Sequence, residues 1–596
     1  MITPRPLAVA AAVLSSVCAC GGSHAPVVVD GAADAEGAAD AEGAADAGGP
    51  DAVARLGRLF VTGPRAACAF SSPLAISSRG EPEIMIVTAD GTFSALDPRT
   101  GAEDWRVALA APSGSSPNLV AAPALFGHRL VFAWQDVEAD WTRVNHHVGV
   151  IDLDARALDA AFPTLTLAAS KPAFDGASPV TFLPAHAFSR AAVVHADVPD
   201  RALGLAYISF GNVRDLQPWH GWVFEIDLDA WQADGAGAAI SSTMVTTAQG
   251  DCGAEDSDGA REMLCGGGVW AAMGPEVVPD ATTPDGFSLL IATGNGTLDP
   301  TRKDFANAVL RVRRGLAFDP ACDAAMCEPF DPTSPTEACA SSCDNLFIPR
   351  LPAGQLPARG AAEVCVGMTL LQCYAALDWD LGANAPTRAV LPGGAEVILQ
   401  PGKDGAVYLF DANHFGKLYD RAPIMAGCGE GGGACRATWA GTMVTKAALA
   451  TLDGTTIALL PTFVEDDVHP AGLQALELSA ADGSPKLSSR WQVPPFGAPA
   501  SISAFRGPPS GVSVVDVAGE PFAAVVDTST EPATLYWVRV RDGAVVQRLA
   551  LAGAGQRYAR PLAAGGVLYV PSCEHTGVPS FEEGPSALEA FTITTP

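Results

Sequence analysis

The chain has 596 residues, 48% of them apolar and only 17% charged, which is enough to bury a large core. Its formal charge of −30 excludes nucleic acid and anionic membrane surfaces as partners, because both would repel it. The 61 glycines and 47 prolines suit an all-β chain rich in turns.

Residues 1–19 read as a signal peptide. Arg5 precedes an apolar stretch, Leu7 to Val17, that is too short to span a bilayer. Val17 to Gly21 resembles a bacterial lipobox with Cys20 as the lipidated residue; an ordinary secretory signal is the alternative. Either way the mature protein leaves the cytoplasm. Gly21 after the cysteine resembles the sorting signal of outer-membrane lipoproteins, which implies a cell-envelope protein touching the membrane only through its lipid. Residues 20–56 are expected to form a disordered tether. The Ala, Asp, Glu and Gly repeat at 31–49 has no large side chain with which to build a core.

From residue 57 to 596 short strands alternate with turn signals. The clearest unit is VTADGTFSALDPRTGAEDWRVAL at 87–109: a strand, an Asp90-Gly91 hairpin turn, an alternating strand, a second turn at 97–101, and Trp105. Weaker copies follow at 148–162, 221–235, 405–420, 473–493 and 534–551. Their spacing predicts a single β-propeller of about eight four-stranded blades, with seven as the competing count.

Twelve cysteines remain beyond the leader, and several fall as sequence neighbours: Cys252 and Cys265, Cys365 and Cys373, Cys428 and Cys435. In an oxidising compartment such pairs form disulfides. Cys68 and Cys573 stand alone near opposite ends of the fold; a ring brings those ends together, so a bond across the closure is expected. Residues 317–375 hold six cysteines and no histidine and do not read as a blade. They are expected to form a disulfide-pinned loop insertion rather than a metal site, and a place where a partner docks.

Four separated segments carry the sharpest signal: Gly266 to Trp270 (GGGVW), IATGNG at 291–296, DFANAVLRV at 304–312 and QPGKDGAVYLFD at 400–411. In that order they resemble the central blades of quinoprotein dehydrogenases, the PQQ-dependent β-propellers, and the stretch at 87–109 is similar to the repeat of the same family. The resemblance implies that Trp270 stacks on the cofactor, that Asn295 ligates a Ca²⁺ ion, that Asp304 is the base, and that Lys403 contacts the quinone oxygens. Such chemistry needs cations, because electron transfer to a quinone builds negative charge on oxygen.

The departures matter as much. The metal-ligating Glu of the family has no counterpart in GNVRDLQPWHGWVFEID at 211–227, where Trp219, His220 and Trp222 stand instead, with His220 in a buried setting. The chain has no adjacent cysteine pair and no Cys-x-x-Cys-His haem site. It also lacks the motifs of zinc peptidases, serine esterases and phosphate-binding loops. Two readings follow. The first is a non-catalytic, lipid-anchored propeller that binds or scaffolds an unknown protein or polymer on one face, with no cofactor. The alternative is a PQQ- and Ca²⁺-dependent dehydrogenase that oxidises an alcohol or sugar. Each matched residue also has a plain structural role available to it, as hub filler, turn or strand cap.

Overall fold

The computed structural model describes residues 53–595, apart from positions 64, 113 and 141 and the segments 213–218, 253–264, 331–336, 351–378, 424–445, 463–471, 481–483, 496–504, 506–508 and 574–582. Cys20, Cys365, Cys373, Cys428, Cys435 and most of the tether therefore lie outside the described residues.

Eight antiparallel sheets follow one another around a ring. Blade 1 is Leu74–Ser78, Glu81–Val87, Thr92–Leu96 and Glu103–Ala108, paired in that order. Blades 5, 6 and 7 repeat this four-strand meander over residues 387–423, 448–493 and 513–550. Blades 2, 3 and 4 keep it with inner strands that are split or outer strands that are short. Blade 8 is shared between the two ends of the chain. Its inner strands, Leu562–Ala564 and Val567–Cys573, come from the C-terminal side, as does Glu583–Thr594, and Arg55–Val61 is laid against the last of these as the outer strand. Cys68 and Cys573 are joined by a disulfide at the same closure.

Among the described residues an apolar cluster fills each of the eight seams between neighbouring blades, and a further one gathers Cys68, Phe70, Val120 and Cys573 at the ring closure. Side chains of a strand alternate between faces, so each strand feeds two seams. In blade 1, Ile84 and Ile86 pack toward blade 8, whereas Met85 and Val87 pack toward blade 2. Both faces are thus buried, which explains why Phe93 to Leu96 are all buried although the residues alternate in orientation. Trp105 closes the seam between blades 1 and 2. Its indole N–H donates to Glu83 at 2.9 Å, and Arg156 of blade 2 sits 5.9 Å over the ring while binding the same carboxylate.

The cysteine-rich segment departs from its sequence reading in one respect. Leu346–Phe347 lies inside it and pairs with Val309–Val312 as the outer strand of blade 4. A two-residue strand is too short to carry an alternation signal. The residues before it are two short helices, Ala324–Cys327 and Glu337–Ser342, pinned by disulfides Cys322–Cys343 and Cys327–Cys339. They connect the third and fourth strands of their blade. In an up-and-down meander that connection falls at the opposite end of the ring from the loops joining second and third strands.

Candidate functional site

The loops between second and third strands, and those leading into each inner strand, gather at one end of the hub. In blades 3 to 5 they interlock. Gly266 bridges to both His220 and Gly296, and Thr247 bridges to Asp304. Gly266 has φ of 80°, and a Cβ there would sit 2.2 Å from the carbonyl oxygen of Asn295, so only glycine permits this crossing. The Gly267 N–H donates to that same oxygen at 2.7 Å.

Trp270 leaves this lattice and lays its indole across glycines of two blades. A Cβ on Gly211 would meet its Cε3 at 2.6 Å, and one on Gly294 would meet its Cζ2 at 2.7 Å. The buried ring of Trp219 stacks on it, with centroids 6.0 Å apart and planes at 27°. Trp270 itself is only partly buried, yet its indole N–H is enclosed and has no acceptor among the described residues. The Nζ of Lys403 stands 5.6 Å from the Trp270 ring centroid.

Lys403 and Asp304 have contrasting surroundings. Lys403 is buried and ion-paired to Asp380, 2.8 Å away and fully buried, on the segment leading into blade 5. Asp304 has 0% of its surface exposed. One carboxylate oxygen accepts from the Ala248 N–H at 2.8 Å, whereas Oδ2 is enclosed without a hydrogen-bond partner among the described residues. Burial pushes its pKa up to about 7, against the pull of the Ala248 N–H and the Gln249 side chain. Asp304 and Lys403 are therefore not a mutually neutralising pair.

Asn295 is buried in the IATGNG turn at 2% exposure. Asn307, in the bend between the strands Asp304–Phe305 and Val309–Val312, accepts the Leu381 N–H and ties blade 4 to blade 5. His220 is half-buried, less enclosed than its tryptophan neighbours led one to expect, and bonds Thr247 through Nδ1; partial burial lowers its pKa to about 4. It lies beside the Cys252–Cys265 disulfide. Those two sulfurs are bonded to each other, so the His-Cys-Cys grouping is not a thiolate metal set. His146 and His147 form no joint site: His147 pairs with Asp136, and His146, pushed down to about 3 by burial, faces Pro184.

The four residues singled out from sequence thus fall in one set of interlocked loops, from blades 3 to 5. Sequence reasoning missed Asp380 and the stacking of Trp219. The run Trp379-Asp380-Leu381, an acidic residue among apolar ones just before a strand, was the available signal for Asp380.

As to fit, a half-open indole, an enclosed unpaired indole N–H, a buried cation near the ring and a carboxylate held near neutrality suit a planar, electron-poor ligand. A Ca²⁺ ion suits the site less well. It takes six to eight oxygen ligands, and residues 211–212 and 219–222 supply no carboxylate. Glu225, the next acidic residue along that stretch, is engaged by Tyr207, Ser241 and the Gly315 N–H.

No family model matches the chain, and no curated protein matches it. Among solved structures it is similar to the quinohemoprotein alcohol dehydrogenase ADHIIG from Pseudomonas putida HK5, at 12% identity over 91% of this chain and 76% of that one, with a TM-score of 0.47. BamB from Moraxella catarrhalis is similar at 11% identity over 90% of this chain and 100% of its own, with a TM-score of 0.44. The quinohemoprotein alcohol dehydrogenase from Comamonas testosteroni matches at 11% identity over 90% and 76%, also at 0.44. At these values the likeness carries no inference about chemistry. The class defined by the chain's own fold is an eight-bladed β-propeller with a polar hub.

Proposed function

We propose that the protein binds PQQ in the hub of blades 3 to 5 and oxidises an alcohol or sugar there. The observation that carries this reading is Asp304: a buried carboxylate with one unsatisfied oxygen and a pKa near 7 is poised to take a hydroxyl proton at neutral pH. PQQ, when bound, supplies a two-electron acceptor. Trp270 would offer the flat surface for it, and Lys403, beside that ring, would supply positive charge to a quinone gaining electrons. Asp304 holds the proton released from the substrate. Trp219 backs the Trp270 ring and limits its movement. No step is assigned to a metal.

The test is dye-linked oxidation across a panel of alcohols and sugars by the full chain supplied with PQQ. The expected rate rises with pH through an apparent pKa near 7 and is lost in Asp304→Asn. Absence of turnover by folded, PQQ-saturated protein with every panel member overturns the proposal.

A second reading, a binding or scaffold propeller without redox chemistry, is favoured by one observation: Asp380 already neutralises Lys403 without any ligand. That reading expects a captured envelope protein or polymer whose binding survives Asp304→Asn. Either function belongs in the cell envelope. This placement rests on the leader and on the disulfides, which persist outside the cytoplasm. Loss of radiolabelled palmitate incorporation in Cys20→Ser is the expected result; unchanged incorporation refutes lipidation there.

A further inference from the structure

Around the ring axis, the residues leading into the inner strands of blades 1, 2, 3, 4 and 8 enclose a cavity of about 200 Å³. Its wall carries Ser71, Arg190, Ala272, Met273, Tyr558 and Arg560. The two arginines lie 370 positions apart in the sequence and line one cavity because the ring closes. Arg190 donates to the Trp270 carbonyl at 3.0 Å and to the Tyr558 hydroxyl at 2.9 Å, both neutral groups. Arg557, 6% exposed, stacks on the Tyr558 ring at 5.0 Å, while Arg190 lies 4.6 Å from the same ring. The guanidinium of Arg560 makes no hydrogen bond or ion pair among the described residues.

None of these three cations has a carboxylate partner among the described residues, in a protein where acidic groups outnumber basic ones 66 to 36. Several other arginines of this chain do have carboxylate partners, as Arg156 has Glu83 and Arg314 has Asp200 and Asp285. Grouping guanidiniums without counter-charge is costly where they are withdrawn from water, as the buried Arg557 and the half-buried Arg190 are, while Arg560 stands exposed at the rim of the cavity. A second observation also points inward. Ser71, 6% exposed, lines the same cavity, and its buried hydroxyl has no hydrogen-bond partner among the described residues.

We propose that this cavity binds a small oxyanion, a carboxylate or phosphate group, held by Arg190 and Arg560 with the Ser71 hydroxyl as a further donor. Guanidiniums match the planar, bidentate geometry of such groups. The volume is below the ~300–1,000 Å³ typical of pockets for drug-sized ligands, which limits the occupant to a small anion or the acidic end of a longer one. The site stands independently of the quinone reading, because neither Lys403 nor Asp304 lines it.

The test is calorimetric titration of inorganic phosphate and, separately, of oxalate into the full chain, at constant ionic strength set by chloride. Saturable binding of at least one anion is expected, weakened at least tenfold in Arg190→Gln and in Arg560→Gln. Arg541→Gln, a paired surface arginine, is expected to bind as the wild type does. Which anion binds tighter distinguishes a phosphate site from a carboxylate site. Arg190 also holds the Trp270 loop, so Arg560→Gln is the variant whose folding is least at risk. Absence of saturable binding by both anions, or equal affinity in wild type and Arg560→Gln, overturns the proposal.

Discussion

The turns at 88–92 in blade 1 and at 402–406 in blade 5 occupy the same place in their meanders and carry the same Asp-Gly pair. Gly91 and Gly405 adopt nearly the same left-handed φ, 75° and 78°. In blade 1 the aspartate serves its own turn: one oxygen of Asp90 accepts from the Thr88 hydroxyl at 2.6 Å and the Thr92 N–H at 3.2 Å. In blade 5 the pair is buried, and beside its own turn bond to the Ala406 N–H the aspartate takes further partners. Asp404 bonds Arg421 and the Tyr408 hydroxyl, and Lys403 bonds Asp380 beside the Trp270 ring. The repeat dictates the turn, whereas neighbouring blades decide whether its charges are solvated or placed in a low-dielectric hub.

The largest expected difference between the two turns is in stability. Lys403→Ala leaves the Asp380 carboxylate buried and uncompensated, and a loss of about 3–5 kcal/mol is expected in urea unfolding. Asp90→Ala removes only local turn bonds, for a loss of about 1 kcal/mol. Equal losses would erase the distinction drawn between the blades.

Asp304 sharpens it through pH. Its folded pKa is raised above the ordinary 3.8, so its contribution to stability is fully present below pH 4 and is lost as pH rises through about 7. At ~1.4 kcal/mol per pH unit the wild type loses up to ~4 kcal/mol over that window. Subtracting the stability profile of Asp304→Asn isolates this slope; parallel profiles would show an ordinary carboxylate.

Ring closure offers a contrast at a third place. Cys68→Ser with Cys573→Ser opens a loop of 505 residues and is expected to lower stability by roughly 2–4 kcal/mol, with little effect on hub ligand binding. Gly294→Ala acts in the opposite sense. It crowds the Trp270 indole for roughly 1–3 kcal/mol, and it is expected to weaken any ligand stacked on that ring more than it weakens the fold. Thermal unfolding alongside ligand titration checks both.

The propeller was legible because six stretches repeat a strand, a turn and a second strand, and the span from 57 onward has room for about eight such units. Trp270, Asn295, Asp304 and Lys403 were singled out by short motifs that resemble those of quinoprotein dehydrogenases, and the structure places them in neighbouring loops of blades 3 to 5. Asp380 was not, since its role depends on Lys403 lying 2.8 Å away across a loop. The pairing of Arg190 with Arg560 was further out of reach: 370 positions of sequence separate them, and only the closed ring brings both to one cavity. The strand Leu346–Phe347 escaped because its two residues lie between a cysteine-rich stretch and a proline-containing one.

The most direct measurement is calorimetric titration of PQQ into the full chain at pH 7.5 or so, repeated with Trp270→Ala. The account predicts saturable one-to-one binding to the wild type that disappears in the variant while its fold persists. A flat titration on folded wild-type protein, or equal binding by Trp270→Ala, would contradict the assignment of the hub as a quinone site.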